Sequence, residues 1–145
     1  MINWDQRFLD LAKNISIWSK DPSTKCGAVI VRPDKTVASL GYNGFPRGIN
    51  DSEERLNNRE TKLSLTVHCE INAILSSKES VEGYTLYTWP YLCCDRCASH
   101  VIQAGIIRVV APICSVDRWQ ESINKGKEYF KEAGVEVLEI TDASS

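Results

Sequence analysis

Two short stretches, a continuous apolar run at positions 27–31 and a largely apolar one at positions 106–111, constrain the fold of this chain more than any other feature. Runs this short and this apolar are typical of strands that are buried on both faces of a sheet. Such strands need a layer of helices on each side. The sequence therefore predicts an α/β protein with a central sheet between helices.

Helices and strands alternate along the rest of the chain. Apolar residues recur at helical spacing over positions 4–18, Asn3 and Gln6 resemble a capping box, and Asp21-Pro22 ends this first helix. Positions 36–42 form a second strand, joined to the first as a hairpin. The remaining predicted elements are helices at 68–77, 94–104 and 117–133 and strands at 84–88 and 135–140.

Capping signals place the ends of several of these helices. Gly105 and Gly134 are in the position where a left-handed residue commonly ends a helix, and Asp117 with Gln120 is expected to cap the start of the last one. Positions 43–50 are rich in residues that break regular structure and predict a loop. Positions 51–65 are polar with weak periodicity, and their conformation stays open.

Length and charge limit the possible functions. The 145 residues, 43% of them hydrophobic, fit one domain over positions 1–145. The 17 basic and 19 acidic residues are scattered, which argues against a nucleic-acid partner. The start of the chain has no secretory pattern and no run of 18 apolar residues exists, so we expect a cytoplasmic protein without a membrane partner.

Six cysteines in such a chain are better interpreted as thiols or metal ligands than as disulfides. Cys94 and Cys97 are three residues apart at the start of a predicted helix, so they share a face and can bind one ion. Zinc suits two thiolates, which a helix N-terminus also stabilises. Upstream, His68 and Glu70 supply an imidazole and a carboxylate at the start of another predicted helix.

The order His-x-Glu followed by Cys-x-x-Cys is the pattern of zinc deaminases. His68, Cys94 and Cys97 would be three zinc ligands, which leaves a fourth position for water, and Glu70 would be the general acid and base. Positions i and i+2 point about 200° apart on a helix. We therefore predict that His68 lies in or before the first turn while Glu70 lies inside it.

Other histidines and cysteines have simpler interpretations. His100 has no ligand pattern around it, and Cys26 and Cys114 flank apolar strands as small buried hydrophobic residues. Cys93 could compete with Cys94 for zinc, although only Cys94 has the x-x spacing to Cys97. Cys69 or Cys93 could also close the zinc site with a fourth ligand, which would make it structural.

Together these residues resemble the cytidine and deoxycytidylate deaminase superfamily, and within it the deoxycytidylate deaminases. The resemblance covers residues 4–137. Its most specific stretches are SKDPSTK at 19–25, GYNGFP at 41–46, HCEINAIL at 68–75 and IQAGI at 102–106. Two departures stand out: members commonly have proline directly before the first cysteine of the pair, and alanine where this chain has Cys69.

The resemblance implies a three-layer α/β/α fold with a five-stranded mixed sheet, zinc at His68, Cys94 and Cys97, and Glu70 as proton shuttle. In relatives the asparagine that matches Asn43 helps to hold the nucleoside, and the segment that matches Ser23 to Lys25 lies near the phosphate. An amide can fix a sugar or base edge, and a lysine offers a charge to phosphate.

The implied reaction is hydrolysis of dCMP to dUMP for thymidylate synthesis, with dCTP as a further possible substrate. The resemblance also implies a homo-oligomer, a hexamer rather than a dimer, with dCTP and dTTP as effectors and Mg²⁺ accompanying the effector nucleotide. Two alternatives stay open: a deaminase of nucleic acid or free nucleosides, and a non-catalytic zinc-stabilised binding domain. A basic stripe would favour the polymer, and a fourth protein ligand would favour the binding domain.

Overall fold

A computed structural model describes residues 2–141 and contains a five-stranded mixed sheet with helices on both faces. The three-layer α/β/α arrangement predicted from the sequence is confirmed. In chain order the elements are α1 (Trp4–Ser16), β1 (Gly27–Val31), β2 (Val37–Tyr42), α2 (Glu53–Leu56), α3 (Arg59–Leu65), α4 (Cys69–Ser76), β3 (Thr85–Trp89), α5 (Asp95–Gln103), β4 (Arg108–Pro112), α6 (Asp117–Glu132) and β5 (Glu136–Ile140).

The sheet has the strand order β2-β1-β3-β4-β5. Strand β1 is antiparallel to both of its neighbours, β2 and β3, whereas β3, β4 and β5 are parallel to one another. Parallel neighbours cannot be joined by a tight turn and need a crossover connection. Helices α5 and α6 supply the two crossovers, and the hairpin of β1 and β2 is present as predicted.

Strand β1 shows why the apolar runs predict two helical layers. Its side chains alternate between the faces of the sheet, and all five residues are buried. Val29 and Val31 pack into a core with Phe8 and Leu9 of α1. Residues on the opposite face join a larger core that includes side chains from α4, α5 and α6. One face is thus covered by α1 and the other by three helices.

The first helix ends earlier than its apolar periodicity predicts. It stops at Ser16, and Trp18, which the periodicity placed on the helix, is 60% exposed beyond its end. The Trp18 ring meets the ring of Tyr42 at the edge of the sheet, with the centroids 6.2 Å apart. At the other end the capping prediction holds in part, because the Asn3 side chain accepts from the backbone of Gln6 at 3.1 Å.

The prediction that Asp117 and Gln120 cap the last helix is wrong. Val116 is the N-cap residue of α6 and makes no side-chain cap, and Asp117 is already the first helical residue. The Gln120 amide instead donates to the Cys114 carbonyl at 2.7 Å, which fixes the loop before the helix. The predicted helix ends are confirmed, because Gly105 and Gly134 have φ angles of 91° and 78°. No helix within residues 2–141 is long and apolar enough to cross a bilayer.

One edge of the sheet brings together three segments that are far apart in sequence. Gly27, the first residue of β1, pairs with Tyr42 at the end of β2 and with Trp89 at the end of β3. The residues just outside these strand ends therefore meet at the same edge. These are Cys26, Asn43 and the loop over positions 90–94.

Gly41 allows helix α4 to lie directly on strand β2. A Cβ atom at this position would lie 2.4 Å from the backbone nitrogen of Ala73 and 2.4 Å from the carbonyl oxygen of Cys69. Both are backbone atoms of the helix and cannot rotate away. Glycine at this position therefore determines how closely α4, whose first turn carries Glu70, approaches the sheet.

We expect Gly41→Ala to lower the free energy of unfolding by about 3 kcal/mol or more, because the helix must shift to relieve the overlap. Urea unfolding of the two proteins measures the difference. Gly44→Ala is the matched control, since its added Cβ would have no atom within 4 Å, and we expect it to change stability by less than about 0.5 kcal/mol. Equal effects of the two substitutions would contradict the close-approach explanation.

Candidate active site

Two helix N-termini meet at the edge of the sheet described above. His68 is the N-cap residue of α4 and Cys94 is the N-cap residue of α5, and both have extended backbone angles. Glu70 is the second residue of α4, so the prediction that His68 precedes the helix while Glu70 lies in its first turn is confirmed. The extended residue turns the chain, so that the imidazole and the carboxylate face the same space.

His68, Cys94 and Cys97 place one nitrogen and two sulfur atoms close together. The three donor atoms lie within 4.8 Å of one another, and within residues 2–141 they form the one such group of His, Cys, Asp and Glu donors. His68 Nδ1 is 3.6 Å from Cys94 Sγ and 3.1 Å from Cys97 Sγ. The Cys94 sulfur also accepts from the backbone N–H of Cys97 at 3.5 Å.

These donors fit a tetrahedral zinc ion. Zinc bonds to sulfur at about 2.3 Å and to imidazole nitrogen at about 2.0 Å, which places tetrahedral S and N ligands about 3.5 Å apart. The distance from His68 Nδ1 to Cys94 Sγ matches this value, and the distance to Cys97 Sγ is shorter by a few tenths of an ångström. One imidazole and two thiols are also the ligand types that zinc prefers.

The three groups perturb one another electrostatically. A hydrogen bond from Cys97 lowers the pKa of Cys94 to about 4, and a hydrogen bond with His68 makes a smaller contribution in the same direction. The hydrogen bond with Cys94 in turn raises the pKa of His68 to about 9, and the negative charge of Glu70 adds to this effect. The hydrogen bond between Cys97 and Cys94 raises the pKa of Cys97. Zinc needs two thiolates and a neutral imidazole, so its binding releases protons and weakens in acid.

Cys69 and Cys93 lie outside the group of donor atoms. Both are buried, at 3% and 2% exposure, and both belong to the larger core. Burial raises the pKa of each thiol well above its ordinary value, so each sulfur keeps its proton. Neither cysteine is placed as a fourth ligand, which argues against the closed, structural type of zinc site.

Glu70 is a buried carboxylate beside the cluster. It is 5% exposed, and its Oε1 lies 3.8 Å from His68 Nδ1. Its Oε2 accepts a hydrogen bond from the Cys69 thiol at 3.1 Å. Among residues 2–141 no lysine or arginine forms an ion pair with it. The carboxylate thus faces His68 and Cys69 and has no lysine or arginine partner among these residues.

Asn43 fixes the segment that leads into β1. Its side chain is buried at 6% exposure, with Oδ1 accepting from the backbone of Cys26 at 2.8 Å and Nδ2 donating to the carbonyl of Thr24 at 2.9 Å. One amide hydrogen and one lone pair stay available beyond these two bonds. Asn43 thus joins the end of β2 to the segment that carries Ser23 and Lys25.

Ser23 and Lys25 are both exposed on the connection between α1 and β1, and both take part in local contacts. The Lys25 ammonium donates to the carbonyl of Ser19. Ser23 Oγ accepts from the ammonium of Lys62 at 3.2 Å, and Lys62 also pairs with Asp21 at 2.9 Å. Sequence reasoning missed Lys62, because it lies in α3, within the segment whose conformation stayed open.

The remaining predicted residues lie outside the donor cluster. His100 is exposed on α5, with Nδ1 2.9 Å from the carbonyl oxygen of Arg96. Cys114 is buried, as expected for a small core residue. Cys26 is half-buried at the margin of the larger core rather than inside it.

Comparison with known proteins agrees with this geometry. A family model described as the cytidine and deoxycytidylate deaminase zinc-binding region matches residues 2–113. A relative named "Uncharacterized deaminase in luxG 3'region" from Aliivibrio fischeri is 42% identical over 92% of this chain and 91% of its own length. Mouse deoxycytidylate deaminase is 32% identical over 97% of this chain and 81% of its own length.

A solved structure has the same fold. The dCMP deaminase of the cyanophage S-TIM5, in complex with dCMP and dUMP, superposes with a TM-score of 0.74 at 25% identity, covering 93% of this chain and 95% of the phage chain. The matched family region contains all three clustered donors, the buried carboxylate beside them and the strands that bring them together. The chain belongs to the cytidine and deoxycytidylate deaminase family.

Proposed function

We propose that this chain is a zinc-dependent hydrolase that converts dCMP and water to dUMP and ammonia. The observation that carries the proposal is the placement of one imidazole, two thiols and one buried carboxylate around a common space. The choice of dCMP is supported by the relatives: the mouse protein is named a deoxycytidylate deaminase, and the phage enzyme is described in complex with dCMP and dUMP.

In this proposal His68, Cys94 and Cys97 bind the zinc ion and Glu70 moves the proton. A zinc ion held by these three donors would supply a Lewis acid that lowers the pKa of water to about 7. The Glu70 carboxylate accepts a proton from the attacking water and delivers it to the departing amine. The oxygen forms a bond with C4 of cytosine, the bond from C4 to nitrogen breaks, and ammonia leaves.

We assign substrate binding to Asn43, Ser23 and Lys25. The free hydrogen and lone pair of the Asn43 amide suit a sugar hydroxyl or a base edge. The ammonium of Lys25 and the hydroxyl of Ser23 suit a phosphate, and Lys62, which pairs with Asp21, also donates to the Ser23 hydroxyl. One sheet with its helices takes up residues 2–141, which supports a single deaminase domain.

The family resemblance extends the proposal beyond the active site. The dUMP formed would supply thymidylate synthesis, and dCTP would be a second substrate to test. The same resemblance suggests a homo-oligomer regulated by dCTP and dTTP, with Mg²⁺ accompanying the effector. Each of these points can be tested with the purified protein.

The proposal is tested by measuring ammonia release from dCMP, dCTP, deoxycytidine and a cytosine-containing oligonucleotide. We expect the largest kcat/KM for dCMP, and we expect a metal chelator to abolish the activity and zinc to restore it. A larger kcat/KM for the oligonucleotide or for deoxycytidine would show that the protein deaminates cytosine in that substrate and not in dCMP. No turnover of any of them by zinc-loaded protein would favour a non-catalytic zinc-binding domain.

A further inference from the structure

The Glu70 carboxylate has few groups that can fix its orientation. It is buried at the start of α4, and no lysine or arginine of residues 2–141 pairs with it. The terminal torsion of a glutamate side chain is broad and roughly two-fold, so the two oxygens exchange positions easily unless a neighbour distinguishes them. A neighbour that hydrogen-bonds one oxygen would remove this freedom.

Cys69 is that neighbour. Its sulfur lies 3.1 Å from Oε2 of Glu70, while Oε1 is the oxygen that lies 3.8 Å from His68 Nδ1. Cys69 is 3% exposed, so water has little access to compete for this contact. We propose that Cys69 is a positioning residue, whose S–H group holds Oε2 of Glu70 and keeps Oε1 directed towards the zinc ligands.

Cys69 is better suited to this role than the Cys97 thiol. Besides the contact with Cys94 and burial, the negative charge of Glu70 raises the pKa of Cys97, so this thiol also interacts with the carboxylate. A zinc-bound thiolate carries no proton to donate, so Cys69 is the thiol that stays a donor when the metal is bound. Members of the family commonly have alanine at this position, which cannot make the contact. The inference therefore concerns a residue in which this chain departs from the common family pattern, and it rests on the proposed function.

The test compares zinc-loaded wild type with Cys69→Ala and Cys69→Ser in dCMP hydrolysis. The two substitutions have similar volumes, but only serine keeps a hydrogen-bond donor. We expect kcat of Cys69→Ala to fall about three- to tenfold, the size of one hydrogen bond from a weak S–H donor, with KM and zinc content unchanged. Cys69→Ser should recover most of the loss. If Cys69 had only a packing role, kcat would fall equally in both variants.

A second measurement does not depend on turnover. The infrared S–H stretching band of Cys69, identified by its disappearance in Cys69→Ser, should shift to higher wavenumber in Glu70→Gln, because a neutral amide accepts a weaker hydrogen bond than a carboxylate. A band that does not move, an unchanged kcat in Cys69→Ala, or equal losses in both variants would overturn the inference. A wild type that hydrolyses no nucleotide would overturn the proposed function and with it this role, whatever the infrared band shows.

Discussion

Replacing Glu70 with glutamine is expected to lower kcat for dCMP by a factor of about 10² to 10⁴, the usual contribution of a positioned general acid and base. Glutamine is nearly the same size as glutamate, so it can occupy the same buried position at the start of α4. It cannot accept a proton from water or deliver one to the leaving amine. Zinc binding should be retained, because Glu70 is outside the three-donor cluster.

The measurement is kcat and KM for dCMP together with zinc content of both proteins. Glu121→Gln is a matched control, because Glu121 is exposed on α6 and lies outside the donor cluster. We expect this variant to keep the wild-type kcat. Equal rates for wild type and Glu70→Gln would remove Glu70 from the mechanism, and loss of zinc in Glu70→Gln would assign it a role in metal binding instead.

The sequence predicts much of this architecture because the decisive signals are local. The apolar run of β1 requires cover on both faces, and the structure has that cover. The spacing of His68 and Glu70 requires the helix to begin between them, since residues two apart on a helix face different directions. The glycines after α5 and α6 end those helices through their left-handed backbone angles.

Weakly periodic segments are where local signals fail. Positions 51–65 contain two short helices, α2 and α3, and neither has a buried residue. Each begins with a side-chain cap, from Ser52 and Asn58, which a sequence shows only as a common polar residue. Because neither helix has an apolar face, the sequence shows no helical periodicity of apolar residues there. A helix with no buried residue leaves its caps as the main local signal in the sequence.

Long-range contacts are the other part that sequence reasoning could not supply. Lys62 and Asp21 are 41 residues apart, yet their ion pair is largely buried and joins α3 to the segment that carries Ser23. The amide of Asn43 holds the backbone of that same segment 17 to 19 residues away. Such contacts depend on how the elements pack, which a local pattern does not encode. The hydrogen bond from Cys69 to Glu70 joins sequence neighbours, but its existence depends on burial of both groups.

Replacing Cys94 with serine is expected to abolish zinc binding, whereas replacing the adjacent Cys93 is expected to preserve it. Cys94 directs its sulfur towards His68 and the backbone of Cys97, and a serine oxygen is a poor ligand for zinc. Loss of a direct ligand should reduce zinc affinity by more than the about 10- to 100-fold that loss of an outer-shell partner costs. The activity towards dCMP should fall in parallel.

Cys93→Ser is the matched control, because it removes a thiol from the neighbouring position. The Cys93 side chain is buried in the larger core and lies outside the donor cluster. Burying a hydroxyl without a partner there should lower the free energy of unfolding by about 1–3 kcal/mol, so both variants must be assayed well below their melting temperatures. Zinc content after dialysis against a weak chelator distinguishes Cys94→Ser from Cys93→Ser. Full retention of zinc in Cys94→Ser, or loss of zinc in Cys93→Ser, would show that Cys93 is the first thiolate ligand. Helix α5 would then have to begin at a different residue, because the Cys94 sulfur contacts the cluster from the N-cap position of that helix.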